Sequence, residues 1–430
     1  MNDWPSPGSA PPFVAQTRAD LLAGVGPFRR RRRHRAVAAT AVALVVAVAG
    51  IAGALVSIRD ENGARPIVVE QPDVSTTSIP ATAPPLFLAA EPVPDGHVGP
   101  QTAAAFWTGD VLLVVDPQDG GGDVRGEIWD PATRTTRPMA PSGFVWRAFP
   151  AMAWTGSELL IVGGSNGPGV EPIGMAYDLA ADTWRMLPDP PGAAGPATSS
   201  PGLGGPGFWT GSELLMPTAG LAYDPAARSW RSIDPGPLTT RSLPVQVWTG
   251  DRVVAWGGCI RPGDGGCDDP NIGLLGDGAV YDAAADSWTP MAPSPLPPGV
   301  HAVGVWTGTE VVIVVTEPGD DAAVAAAAYD PARDTWRSLP APPLSPRRYA
   351  AIAWTGDRVV VWGGTEGLTL SLPRYADGAF YDPAADRWTS FAVDAEEARE
   401  MAVMEWTGAD LYVAGGRPRA EPFTFRLPED

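Results

Sequence analysis

Arg147, Arg241, Arg347 and Arg399 each stand seven residues before a tryptophan, at Trp154, Trp248, Trp354 and Trp406. A guanidinium offers a planar fork of donors that fits a carboxylate through two parallel hydrogen bonds. Four forks brought to one place would therefore hold a carboxylate or a sugar acid. The same residues have a structural use, capping loop carbonyls or pairing with an acid of their own loop, and the sequence leaves both readings open. Cys259 and Cys267 close the Gly-rich segment CIRPGDGGC. In an oxidising compartment the pair is expected to form a disulfide that staples the loop, contributing about 2 to 3 kcal/mol. No histidine lies nearby, so a metal site is not expected there.

Acidic residues form two groups. Asp394, Glu396, Glu397 and Glu400 could supply a carboxylate pair for general acid and base work, and they also read as a solvated acidic loop. Asp130, Asp178, Asp224, Asp282, Asp330 and Asp382 each follow an aromatic residue, with Asp182, Asp286, Asp334 and Asp386 close behind. Their shared position suits side-chain hydrogen bonds within a turn, and the ligand count of a calcium loop is missing. No Ser/His/Asp order, phosphate-binding glycine loop or dinucleotide glycine pattern occurs. Neither a cofactor nor a metal is expected.

These residues are placed by a repeat. Trp-Thr-Gly begins at Trp107, Trp154, Trp209, Trp248, Trp306, Trp354 and Trp406, at intervals of 39 to 58 residues. Between these marks an aromatic-Asp pair is followed by a Trp seven residues beyond the aromatic: Tyr177 and Trp184, Tyr223 and Trp230, Tyr281 and Trp288, Tyr329 and Trp336, Tyr381 and Trp388. The first repeat has Trp129-Asp130, with Thr136 in the place of the second Trp. Each unit reads as four short strands. In the sixth these are Tyr349 to Trp354, Arg358 to Trp362, Gly378 to Tyr381 and Arg387 to Phe391, separated by Thr-Gly and Asp-Pro turns. One such unit cannot bury both faces, so the units must stack.

Four strands per unit, a double glycine after the second and the Tyr to Trp spacing resemble the kelch repeat, whose fold is a β-propeller. The double glycine stands at Gly163-Gly164, Gly257-Gly258, Gly363-Gly364 and Gly415-Gly416. Asp116-Pro117, Met216-Pro217 and Glu317-Pro318 replace it in repeats one, three and five. The resemblance covers residues 85 to 430 and implies an all-β, seven-bladed propeller of four antiparallel strands per blade. The seventh repeat has residues for a third strand, Pro422 to Leu427, and little more. Leu86 to Pro92 is therefore expected to complete that blade and close the ring. Galactose oxidase is a propeller enzyme whose copper is held by two His and two Tyr. Its motif cannot be carried over, because His97 and His301 are isolated and both Cys lie in one loop. Sialic-acid mutarotases share the kelch propeller, but their active residues have no counterparts that the sequence identifies.

Composition frames the rest. The 430 residues carry 50 Gly and 49 Pro, as a turn-rich fold requires, and 17 Trp with 44% apolar content, which excludes a disordered chain. A net charge of −19 argues against nucleic acid as a partner. That charge is unevenly divided. Residues 1–35 hold seven Arg against two Asp, and residues from 59 onward hold 23 Arg against 47 acids. Between them residues 36–58 are uncharged and long enough to span a bilayer as a helix. The abutting arginines place residues 1–35 in the cytoplasm and the propeller outside.

The expected organisation is thus an Arg-rich cytoplasmic tail (1–35), a transmembrane helix (36–58), a Pro/Ser/Thr-rich linker (59–84) and a monomeric propeller (85–430). The leading functional expectation is a cell-membrane protein whose outer propeller is a binding module for a protein or carbohydrate. An enzyme acting on a sugar or sugar acid at the channel mouth, of the mutarotase kind, is the alternative. A weaker one is a transmembrane signalling protein whose short tail recruits a cytoplasmic regulator.

Overall fold

A computed structural model of the chain describes residues 85–96, 104–116, 124–144, 150–164, 174–190, 206–260, 273–316, 323–366, 373–418 and 421–428. The expected tail, transmembrane helix and linker lie outside these. Among the described residues no helix is long and apolar enough to cross a membrane.

Seven antiparallel sheets follow one another along the chain and form a seven-bladed β-propeller. Blade four is representative, with strands Val245–Trp248, Arg252–Trp256, Gly278–Asp282 and Ser287–Pro290 paired in sequence order. First strands of neighbouring blades pack against one another and so surround the axis. The second strands are the apolar centre of each blade: Val311–Thr316 in blade five is buried at every position. Such a run suits a strand covered on both faces.

Buried apolar side chains fall into seven clusters, one at each joint between neighbouring blades. The repeat signature is what builds these joints. In blades two to six the Tyr and Trp sit opposite each other on the third and fourth strands, with ring centroids 4.7 to 5.3 Å apart. Each of these Trp then donates its indole N–H to a carbonyl of the preceding blade, as Trp184 does to Ala140 at 2.8 Å and Trp388 to Pro340 at 2.9 Å. Thr136, which replaces the Trp in blade one, keeps the bond by donating its hydroxyl to Pro94 at 2.8 Å. The Asp after each aromatic accepts backbone N–H groups two or three residues on, closing the turn as expected.

Ring closure departs from expectation in one respect. Glu91–Pro92 pairs antiparallel with Phe423–Phe425 and supplies the fourth strand of blade seven, as anticipated. Leu86–Phe87, however, pairs parallel with Arg387–Ala392 and adds a fifth strand to blade six. Blade seven has no Trp to clamp onto blade six, and the main chain takes over that task, with Leu88 N donating to Ala392 O at 2.8 Å.

Candidate binding face: the loop-rich mouth

The two mouths of the ring differ in their connections. Second strands follow first strands after three or four residues, and fourth follow third after four. The remaining connections run from four to 21 residues and all open at the other mouth. Arg241, Arg347, Arg399 and Cys259 lie on that second side.

Arg241 donates from Nη1 to Gly257 O and Asp277 O, at 3.1 and 3.2 Å, and from Nη2 to Asp277 Oδ2 at 3.1 Å. Arg347 repeats the pattern on Gly363 O, Asp377 O and Asp377 Oδ2, at 3.1 to 3.2 Å. Its guanidinium also lies over the Tyr375 ring. Arg399 reaches Gly415 O, Glu421 O and the Glu397 carboxylate, and its burial pushes the guanidinium pKa down against the pull of Glu397. The three side chains are 6%, 2% and 0% exposed. Each fork is thus turned onto its own blade, and a carboxylate could reach it only by displacing carbonyls. Arg147 lies outside the described residues.

This geometry joins two sequence features that composition keeps apart. In all three the Arg donates to the carbonyl of the first glycine of the double glycine, 16 residues further on. Both features occur in repeats two, four, six and seven and both are missing from one, three and five. The glycines permit the approach. Gly363 and Gly364 have φ of +72° and +95°, and a Cβ on Gly364 would stand 2.7 Å from Arg348 O.

Of the two readings of the acidic loop, the carboxylate pair does not assemble. Asp394 caps Glu396 N, Glu397 pairs with Arg399, and Glu400 pairs with Arg374 at 3.6 Å. Cys259 is buried, and Cys267 lies outside the described residues, as does His97. Among the described residues no group of three or more His, Cys, Asp or Glu is placed to hold a metal ion.

What this mouth presents instead is a row of left-handed residues that the sequence did not announce. Leu243, His301, Tyr349 and Met401 all have φ between +51° and +59°, five residues before the repeat Trp in blades four to seven. Non-glycine residues take this conformation at a cost, which surrounding structure must offset. His301 and Tyr349 from adjacent blades lie against each other, with ring centroids 4.0 Å apart and planes tilted by 49°. Leu243 is 60% exposed, and Ile260, on the neighbouring segment joined through the Ser242–Cys259 bridge, is 54% exposed.

One titratable group inside the ring stands apart from the mouth. Glu405, on the first strand of blade seven, accepts a bond from the backbone N–H of Trp107 in blade one, and burial pushes its pKa up to about 7. The corresponding positions elsewhere hold Phe106, Ala153, Phe208, Val247, Val305 and Ala353.

The architecture defines the class: an all-β, seven-bladed propeller built from repeats. Compared with protein-family models and with curated proteins, the sequence matches none.

Proposed function

We propose that this kelch-like propeller is a binding module that docks a protein at its loop-rich mouth, held outside the cell by a helix over 36–58. The observation that carries the reading is the exposed apolar pair Leu243 and Ile260, on the same mouth as the His301–Tyr349 ring contact and every variable connection. Apolar side chains grouped at a rim are what a protein partner covers. A sugar-acid pocket would instead need free guanidinium forks, and those of Arg241, Arg347 and Arg399 are engaged within their own blades. Constant short turns at one mouth and varied loops at the other are how a rigid scaffold carries a recognition surface.

The test is a photo-activated cross-linker placed at Leu243, at Tyr349 and, on the short-turn mouth, at Thr309. Discrete adducts in living cells from the first two and none from Thr309 are expected. Equal adducts from both mouths overturn the reading. Membrane topology is checked separately, by adding protease to intact cells: the propeller should be cleaved, and full protection overturns the outside placement.

A further inference from the structure

The third blade lacks an acid that joints at four other blades of the ring depend on. Five residues after the third-strand aromatic, blades two, four, five and six carry Asp182, Asp286, Asp334 and Asp386. Each accepts the Tyr hydroxyl of its own blade, at 2.5, 2.6, 2.8 and 2.5 Å. Donors from the preceding blade complete the set. Ala140 N reaches Asp182, Asp234 N reaches Asp286, and Ala292 N reaches Asp334. Arginines of the preceding blade stand by as well, with Arg337 3.3 Å from Asp386, Arg137 3.7 Å from Asp182 and Arg231 3.8 Å from Asp286. In three of the four the joint is thus a carboxylate held between a phenol and a cation.

In blade three this position is Arg228. It takes the same left-handed backbone, φ 51° against 47° to 52° for the four aspartates. It is exposed and forms no ion pair among the described residues. The donors are nevertheless in place. Tyr223 is fully buried, and its hydroxyl has no hydrogen-bond partner. The Arg185 guanidinium, from blade two, stands beside the phenol oxygen without the geometry of a hydrogen bond to it, and binds Glu158 through Nε and Nη2, at 2.9 and 2.6 Å. Its Nη1 is buried and also without a partner. Blade one also carries an Arg at this offset, but there Arg134 pairs with Glu91 at 3.2 Å, and the aromatic is Trp129, so no phenol is left unpaired.

A buried hydroxyl and a buried guanidinium N–H with nothing to donate to each cost free energy. The four sister joints show what satisfies them. We propose that the joint between blades two and three is a binding site for a small monocarboxylate from solution, which takes the place of the missing aspartate side chain between Tyr223 and Arg185, with Arg228 beside it. Acetate is the aspartate side chain cut at its β-carbon, and it is the natural probe. The sister acids have side chains 43%, 45% and 59% exposed, so the position is reached from solvent.

The experiment is thermal unfolding of the full chain at pH 7 and fixed ionic strength, with sodium acetate exchanged for sodium chloride. The wild-type Tm is expected to climb with acetate by on the order of 2–4 °C, and acetamide, which lacks the charge, should give no rise. Arg228→Asp restores the internal acid in a backbone conformation that aspartate already adopts in four blades. That variant should start at a higher Tm and ignore acetate. Tyr223→Phe removes the unpaired hydroxyl and should fold well yet lose most of the acetate response. Saturation transfer to the acetate methyl, seen with wild type and lost in Arg228→Asp, gives a second readout. An equal response to chloride, or an undiminished one in either variant, overturns the proposal, and Tyr223→Phe decides alone should Arg228→Asp not fold.

Discussion

Arg347 and Glu405 show how differently a buried charge can be housed. Arg347 is almost wholly buried, yet its guanidinium meets three carbonyls, a carboxylate and an aromatic face. Removing it leaves those acceptors unpaired beside the double glycine. Arg347→Ala should therefore cost about 3 kcal/mol, read from the midpoint of denaturant unfolding. A loss under about 1 kcal/mol would show that the carbonyl contacts carry little. Glu405 has a single backbone donor and no cation, so burial dominates and its pKa rises from 4.5 to about 7. A raised carboxyl pKa means that the folded state holds the proton more tightly than the unfolded one. The stabilisation is full below about pH 4.5 and is lost as pH rises toward and through 7. Wild type should lose at most about 3 kcal/mol across that window relative to Glu405→Gln, measured as unfolding free energy against pH. Asp182 and Asp286, held below the ordinary value by their Tyr partners, act in the opposite sense and only at lower pH. Identical pH profiles for wild type and Glu405→Gln would remove the group from the balance. None of this was legible for Glu405, since an isolated Glu before a repeat Trp has no sequence sign of its burial. For the arginines the sign existed, in their shared distribution with the double glycines.

At the scale of strands and turns, seven Trp-Thr-Gly marks located the blades, because each mark ends an innermost strand at a turn that only glycine suits. Strand ends were less legible. Tyr349 was expected to begin a strand, but its left-handed backbone delays pairing to Ala351. The fifth strand of blade six could not be anticipated, since Leu86–Phe87 is too short to show alternation and pairs in parallel. The inter-blade indole bonds are the repeat's contribution to stability and should be separable from packing. Trp288→Phe removes the 2.8 Å bond to Asp234 O but keeps an aromatic ring, and Thr136→Val removes the hydroxyl bond to Pro94 O. Each should cost about 1 kcal/mol, as a shift in Tm of a few degrees at most. A Thr136→Val variant as stable as wild type would mean that the substitution in blade one had already relieved that joint of the bond. The disulfide expected between Cys259 and Cys267 is tested at this scale too. Mass spectrometry of unreduced protein is expected to find the chain two hydrogens lighter than the dithiol, and two free thiols would exclude the staple.

For the whole molecule, the ring is held shut by one short segment that touches two blades. Deleting residues 1–92 would strip the fourth strand from blade seven and the fifth from blade six, leaving two ladders open. The expected outcome is loss of cooperative unfolding and rapid proteolysis around Phe423–Phe425, checked by limited digestion against the intact chain. A truncated ring as resistant as wild type would show that closure rests on the apolar joints alone. The closing strand also sets an order of events during synthesis. Thr424 meets Glu91 across a separation of 333 residues, so the segment made first must wait for the segment made last. At typical translation rates that interval is on the order of 20–70 s. Throughout it the unpaired edge of Glu91–Pro92 and the exposed Phe87 beside it must stay out of other partnerships, and a chain that stops short of Phe423 leaves Glu91–Pro92 permanently without a mate.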